Sequence, residues 1–191
     1  MTEASLALRR LDLDGLLEIV PMRHGDDRGF FSETWNRRAF AMAGVELDFV
    51  QDNHSLSSAP GTLRGLHYQS PPHAQTKLVR VVRGAIFDVA VDIRQGSPTF
   101  GRWTGIEISE DLWNQLLVPA GFAHGFVTLR PDTEVFYKVD AFYSPDHDRS
   151  IRFDDPTIGI RWPMEAALFH ISDKDRKAPT LADSDTGFFY S

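Results

Sequence analysis

The 191-residue chain contains no cysteine. Disulfides, cysteine-based zinc sites, thiol nucleophiles and dithiol redox switching are therefore excluded. No apolar run approaches the ~18 residues of a membrane span. Met1 to Arg10 carries Glu3 and lacks an apolar stretch of signal-peptide length. Cations are in the minority, with 20 Lys+Arg against 27 Asp+Glu and a formal charge of −7. That balance argues against non-specific binding to nucleic acid or to an anionic membrane. It leaves room for a small phosphorylated ligand, which needs only a few local cations. A cytoplasmic protein is expected. Repeats, low-complexity tracts and linkers are missing as well, so the expectation is a single domain over 1–191. A chain of this length buries roughly 70% of its unfolded surface and can build a core without staples.

What is present is a series of short apolar runs punctuated by 11 prolines and 14 glycines. Leu16 to Val20 reads as a first strand, closed by Pro21. Arg23 to Gly29 is a charged turn, and Phe30 to Trp35 resumes an extended pattern. One helix is predicted over Arg37–Ala43, capped by Asn36 and stopped by Gly44. Strands then follow quickly, over Asp48–Ser55, Leu63–Gln69, Lys77–Val82, Ala85–Arg94, Trp103–Ser109, Asn114–Val118, Phe122–Phe126 and Glu134–Phe142. Within Ala85–Arg94, Phe87, Val89, Val91 and Ile93 fall on one face. Asp88, Ala90, Asp92 and Arg94 fall on the other, the period of two of a half-buried strand. Many short strands with almost no helix predict a mainly β fold, a double antiparallel sheet of the jelly-roll or sandwich type. The polar run Ser172–Lys177 reads by itself as a solvated tail.

The chemistry gathers around Arg64-Gly65-Leu66-His67-Tyr68-Gln69. Strand alternation puts Leu63, Gly65, His67 and Gln69 on one face, with Arg64, Leu66 and Tyr68 on the other. Arg64 and His67 can serve one ligand only where that alternation fails, and Gly65 is the place for a bulge. Alone, His67 reads equally as a base or as a hydrogen-bonded core histidine. His124 lies in the small apolar run Pro119–Phe126. Lys77 opens an apolar strand, either as a rim lysine or as a cation aimed into a pocket. A cupin-type metal site would place a second histidine two residues after the first, but Gln69 stands there. Neutral amides are poor metal ligands, and Lys77 would repel a divalent ion, so no metal is expected. Tyr137, beside Val135 and Val139, is either a core aromatic or a proton donor facing His67. Arg28 and Arg64 offer forks that match phosphate oxygens. Gln51 and Asn53 share a strand face and can offer amides to a base or sugar.

Taken together, Asp27-Arg28-Gly29-Phe30-Phe31-Ser32-Glu33, Gln51-Asp52-Asn53, the Arg64–Gln69 string, Lys77-Leu78-Val79, the Pro119–Phe126 string, Tyr137-Lys138 and Asp155-Pro156 with Trp162-Pro163 resemble the dTDP-4-dehydrorhamnose 3,5-epimerase family. The similarity runs from about Leu16 to Leu181, with the motifs in the same order. It implies a cupin-like jelly roll with short peripheral helices, working without metal or cofactor, usually as a homodimer. The implied core covers about residues 16–163, with the tail 164–191 packing at the barrel mouth. The implied reaction inverts C3 and C5 of dTDP-4-dehydro-6-deoxy-glucose on the way to dTDP-rhamnose. By resemblance His67 is the base, Tyr137 the acid, Asp175 orients His67, and Lys77 steadies the enolate. Arg28, Glu33, Gln51, Asp52, Asn53, Arg64, His124, Asp148 and Lys174 then contact the nucleotide sugar, and the Arg28–Glu33 segment reaches the partner's site. Asp148 departs from the family pattern, which implies glutamate. Aspartate keeps the charge but is one methylene shorter.

Elementary chemistry agrees with that reading. A 4-keto group acidifies the protons on its neighbouring carbons. Histidine titrates near neutrality and suits the base role. An aspartate can fix its tautomer, and a lysine supplies positive charge where an enolate develops. Three alternatives stay open: a relative inverting only C3 or only C5, a metal-dependent cupin oxygenase using His67 and His124, and a non-catalytic sugar-nucleotide binding module.

Overall fold

The computed structural model describes residues 6–190, so part of the Met1–Arg10 reading lies outside the described residues. In chain order the elements are β1 (Leu6–Arg10), β2 (Leu17–Pro21), β3 (His24–Asp26), β4 (Gly29–Phe31), α1 (Arg37–Met42), β5 (Gln51–Ser57), β6 (Thr62–Gln69), β7 (Lys77–Arg83) and β8 (Ala85–Asp92). They continue with β9 (Trp103–Ser109), β10 (Gln115–Val118), β11 (Phe122–Thr128), β12 (Thr133–Val139), β13 (Asp148–Ser150), β14 (His170–Ile171) and α2 (Asp173–Arg176). One sheet runs β1-β2-β10-β7-β12-β5. The other runs β13-β6-β11-β8-β9, with β14 alongside β6, and β3 and β4 form a separate hairpin. The pairings are antiparallel except for β14 with β6. This is the cupin-like jelly roll that the strand pattern and the resemblance implied.

The two sheets close on a core to which both contribute. Val79, Val81, Leu116, Val118 and Val135 come from the first sheet; Ile86, Ala90, Ile108, Phe122 and Phe126 come from the second. Burial of this kind stabilises by about 25 cal/mol per Å² of apolar surface removed from water. The outer face of the first sheet carries Leu17, Ile19, Leu78 and Leu117, and it is capped by Phe40 and Val45 from α1 and its exit loop. Asn36 caps α1 as its sequence implies, its side chain accepting from Arg38 N and Ala39 N at 2.9 and 3.3 Å.

β8 differs from the half-buried strand that its alternation implies. Both faces are buried. Val89, Val91 and Ile93 point outward, but Ile151, Ile158 and Leu181 from the later part of the chain cover them. Asp88 and Asp92 are fully buried. Alternation places the two faces correctly; it carries no information about what a distant segment lays over them.

The feature that shapes the site is in β6. His124 stands opposite His67, yet Phe126 stands opposite Arg64, so two residues of β6 face the single residue Gly125 of β11. This is the bulge expected at Gly65. The backbones meet closely there. A Cβ on Gly65, whose φ is +128°, would fall 2.5 Å from Gly125 Cα, and a Cβ on Gly125 would fall 2.8 Å from Arg64 O. Only glycine permits that approach at both positions. Beyond the bulge, the side chains of Arg64 and His67 line the same cavity.

Candidate active site

The cavity lies between the sheets and has two adjoining lobes. The first, about 400 Å³, is lined by Arg64, His67, Lys77, His124, Tyr137 and Asp175, among others. The second, about 390 Å³, adds Gln51, Asn53, Gln75, Tyr143 and Asp148. His67, Lys77, Tyr137 and Lys174 line both, so they stand where the lobes join. His67 belongs to β6 in one sheet, while Lys77 on β7 and Tyr137 on β12 belong to the other. A ligand held at the junction would therefore meet a base from one wall and an ammonium and a phenol from the opposite wall.

The C-terminal segment completes the base. β14 pairs with the start of β6, His170 against Thr62 and Ile171 against Leu63. α2 follows directly, its N-terminus capped by Ser172, whose hydroxyl accepts from Asp175 N at 3.1 Å. The helix presents Asp175, 3% exposed, to His67, with Oδ1 2.5 Å from Nε2. Burial by itself would raise the Asp175 carboxyl, but the hydrogen bond from His67, its charge, and the Gly65 N–H bring it below the usual carboxylate range. The polar run Ser172–Lys177 is thus a capped turn of helix over the cavity rather than a solvated tail.

Lys77 Nζ lies 3.4 Å from the carbonyl oxygen of His67. Burial, only partly offset by Asp88 and Asp148, lowers its ammonium to about 8. Burial also raises the Tyr137 phenol above its ordinary value, against the opposing influence of Arg64. Arg64 is steadied by the Ser57 hydroxyl and the Leu56 carbonyl, all at 3.3 Å. Lys174 pairs with Asp148, Nζ to Oδ2, at 2.5 Å, and the Tyr143 hydroxyl donates to the same oxygen at 3.2 Å.

The site thus brings together His67, Lys77, Tyr137, Asp175, Arg64, His124, Gln51, Asn53, Asp148 and Lys174. Three of the candidates it does not. Asp52 points to the outer face of its sheet, where its carboxylate meets Lys138 Nζ at 2.8 Å. The cause is the period of two: Gln51 and Asn53 face inward, so the residue between them cannot. Arg28 is exposed on the β3–β4 hairpin and bonds the Asp26 carboxylate. Glu33 is exposed as well. Neither lines either lobe in its own chain.

Sequence reasoning missed Asp88. Its Oδ1 lies 2.6 Å from His124 Nε2, giving a second histidine–carboxylate pair on the cavity wall. Alternation groups Asp88 with Asp92 and Arg94 as the polar face of a half-buried strand, but that face is turned inward, and it sets Asp88 diagonal to His124 across the ladder. Tyr143 and Gln75 were also missed; both lie in irregular segments with no strand period to place them. Among the described residues, no three of His, Asp or Glu converge as metal ligands do. Gln69, at the place of a cupin metal ligand, turns its amide to backbone groups instead.

Comparison with known proteins agrees with this geometry. The family model described as dTDP-4-dehydrorhamnose 3,5-epimerase matches residues 10–183. A dTDP-4-dehydrorhamnose 3,5-epimerase of Sinorhizobium fredii is 51% identical, covering 90% of this chain and 88% of its own. Among solved structures, the dTDP-4-dehydrorhamnose 3,5-epimerase of Bacillus anthracis with TDP and PPi bound superimposes with a TM-score of 0.88. It is 48% identical and covers 92% of this chain and 99% of its own. The dTDP-6-deoxy-D-glucose-3,5-epimerase of Legionella pneumophila, in complex with dTDP-4-keto-L-rhamnose, gives a TM-score of 0.92. It is 42% identical and covers 97% and 99% of the two chains. A match that spans nearly the whole jelly roll, from β2 past Asp175 on α2, leaves one conclusion: this chain belongs to the dTDP-4-dehydrorhamnose 3,5-epimerase family.

Proposed function

We propose that this chain is an isomerase, a dTDP-4-dehydrorhamnose 3,5-epimerase that inverts C3 and C5 of dTDP-4-dehydro-6-deoxy-D-glucose to give dTDP-4-dehydro-L-rhamnose. The observation that carries the reading is the opposition of His67 on one sheet, backed by Asp175 from α2, to Tyr137 and Lys77 on the other. With Nε2–H donated to Asp175, His67 keeps a free lone pair on Nδ1. That lone pair takes a proton from a carbon next to the C4 ketone. The electron pair moves onto O4, where the Lys77 ammonium stabilises the enolate. Tyr137 then delivers its phenolic proton to the opposite face, which inverts the carbon. One proton is gained by His67 and one is lost by Tyr137, so the pair resets through solvent before the second carbon reacts. Nothing is oxidised or reduced, and every step uses only these side chains.

Arg64, His124, Gln51, Asn53, Asp148 and Lys174 are assigned to the nucleotide sugar. The active unit is a homodimer in which Arg28 and Glu33 reach the partner's site. The support is positional: both are exposed and away from their own cavity, and the hairpin that carries Arg28 is pinned at its base. There Arg23 lies 5.1 Å from the rings of both Phe30 and Trp113, and those rings pack edge to face at 4.8 Å. The whole chain serves as one epimerase domain. A nucleotide-sugar substrate suits the cytoplasmic location, and neither nucleic acid nor membrane is a partner.

Incubation with the 4-keto sugar nucleotide in deuterated water tests the proposal. Deuterium at both C3 and C5, with inversion, is expected. Label at one carbon alone would make the protein a mono-epimerase, and no label at either would rule out catalysis.

A further inference from the structure

The segment Asp140–Ser144 joins β12 to the turn before β13 and has no helix or strand of its own. Backbone groups without a ladder partner must find one elsewhere or carry a desolvation cost. Here glutamine side chains supply the partners in succession. Gln75 Nε2 donates to Ala141 O at 2.8 Å, and Gln69 Nε2 donates to Phe142 O at 3.2 Å. Gln51 Oε1 accepts from Tyr143 N at 3.0 Å, and Gln69 Oε1 accepts from Ser144 N at 2.7 Å. Gln69 spends its second amide proton on His73 O at 2.7 Å, and at 4% exposure it is shielded from water. Its one side chain therefore ties the end of β6 to two separate loops.

The clamped segment carries Tyr143 and leads to Asp148, and these two form one wall of the second lobe. Tyr143 is 55% exposed, so packing holds it little. What holds it is its hydroxyl's bond to Asp148 and the glutamine contacts to its backbone and its neighbours'. We propose that Gln69, supported by Gln75 and Gln51, is a positioning residue that fixes the Tyr143–Asp148 wall before ligand arrives, and so sets affinity for the nucleoside diphosphate half of the substrate while leaving proton transfer untouched. Holding a wall in place beforehand removes its ordering cost from binding. The same strand then divides its work: His67 serves the reacting carbon and Gln69 serves the handle. The inference rests on the proposed epimerase reading only for the identity of the ligand.

The test uses dTDP itself as the probe, with Gln69→Leu and the isosteric Gln69→Glu, which keeps the shape but loses both donors. In either variant the Kd for dTDP and the KM of the 4-keto sugar nucleotide are expected to rise about tenfold, while kcat at saturation stays within about twofold. An unchanged Kd in a folded variant, or a loss confined to kcat, would overturn the proposal. Amide hydrogen exchange in the unaltered protein gives a second, independent reading. The Tyr143 and Ser144 amides are expected to exchange as slowly as strand amides, and exchange at open-loop rates would overturn the clamp even if the variants fail to fold. Binding of dTDP without carbon-bound proton exchange would defeat the epimerase reading and still leave the Kd comparison decisive for Gln69.

Discussion

Asp175 Oδ1 sits 2.5 Å from Nε2 of His67 across a separation of 108 residues. The base comes from the second sheet and its orienting carboxylate from a helix four residues long near the other end of the chain. Asp175→Asn keeps the shape but removes the charge and permits the wrong tautomer. It is expected to lower kcat roughly 10²–10⁴-fold with little change in KM. His67→Ala is expected to abolish deuterium incorporation at both carbons. Retained exchange at either carbon would mean that a second base acts there, with His124 the candidate to examine.

The lowered Lys77 ammonium gives a pH signature. Only its charged form can stabilise an enolate, and that form is lost as pH rises through about 8. A profile of kcat/KM, which reports the free enzyme, should therefore fall on its alkaline side near that value. Lys77→Arg should remove the alkaline limb, because guanidinium stays charged, although its bulkier head lowers the rate itself. For folding the sign is opposite. Between about 8 and the ordinary lysine value the unfolded chain holds a proton that the folded chain has released, so this group adds stability as pH rises across that window.

Tyr137 lies half-buried, and burial shifts its phenol upward, which favours the protonated form that an acid needs. Tyr137→Phe is expected to keep deuterium exchange at the carbons that His67 reaches, while inversion falls roughly 10²-fold or more. Nuclear magnetic resonance of the sugar in deuterated water separates the two. Undiminished inversion would remove Tyr137 from the acid role.

Gly65 has no ligand to touch, yet it is expected to tolerate substitution poorly. Gly65→Ala drives a methyl into Gly125 Cα at a φ that side chains avoid. A loss of about 2–5 kcal/mol in urea unfolding is expected. An alanine variant of near-native stability would show that the bulge can rearrange, and its activity would then tell whether Arg64 and His67 still share the cavity.

The exposed hairpin gives a complementation test. Arg28→Ala and His67→Ala should each be nearly inactive as pure proteins. Mixed under conditions that exchange subunits, they should recover activity, since one site in each mixed dimer then has both an intact His67 and a partner's Arg28. No recovery after verified exchange would place Arg28 outside the shared site.

Much of the fold was legible because period and punctuation are local properties. Asn36 and Gly44 bracket α1, and Trp103–Ser109 is a strand with the very bounds its sequence implies. The bulge at Gly65 was legible because Arg64 and His67 could not otherwise meet. Asp175 was different. A polar run that is capped and buried looks the same in sequence as one that is solvated, and only the resemblance singled it out. Asp52 shows the reverse. Its position between Gln51 and Asn53 already points it outward, and the motif that carried it into the site overrode the simpler argument from alternation. Asp88 was hidden because alternation grouped it with Asp92 and Arg94 on what reads as the polar, solvent-facing side of a half-buried strand, whereas that side is turned into the core between the sheets.

β14 is two residues long and α2 is four, and between them they bring Asp175 to a base that belongs to a sheet. Small attachments of this kind open at a lower free energy than the strands on which they rest. The two halves of the His67–Asp175 pair therefore belong to regions of unequal durability. Mild denaturant or warming should strip the carboxylate from its base while both sheets remain intact, so the enzyme falls silent well before it unfolds.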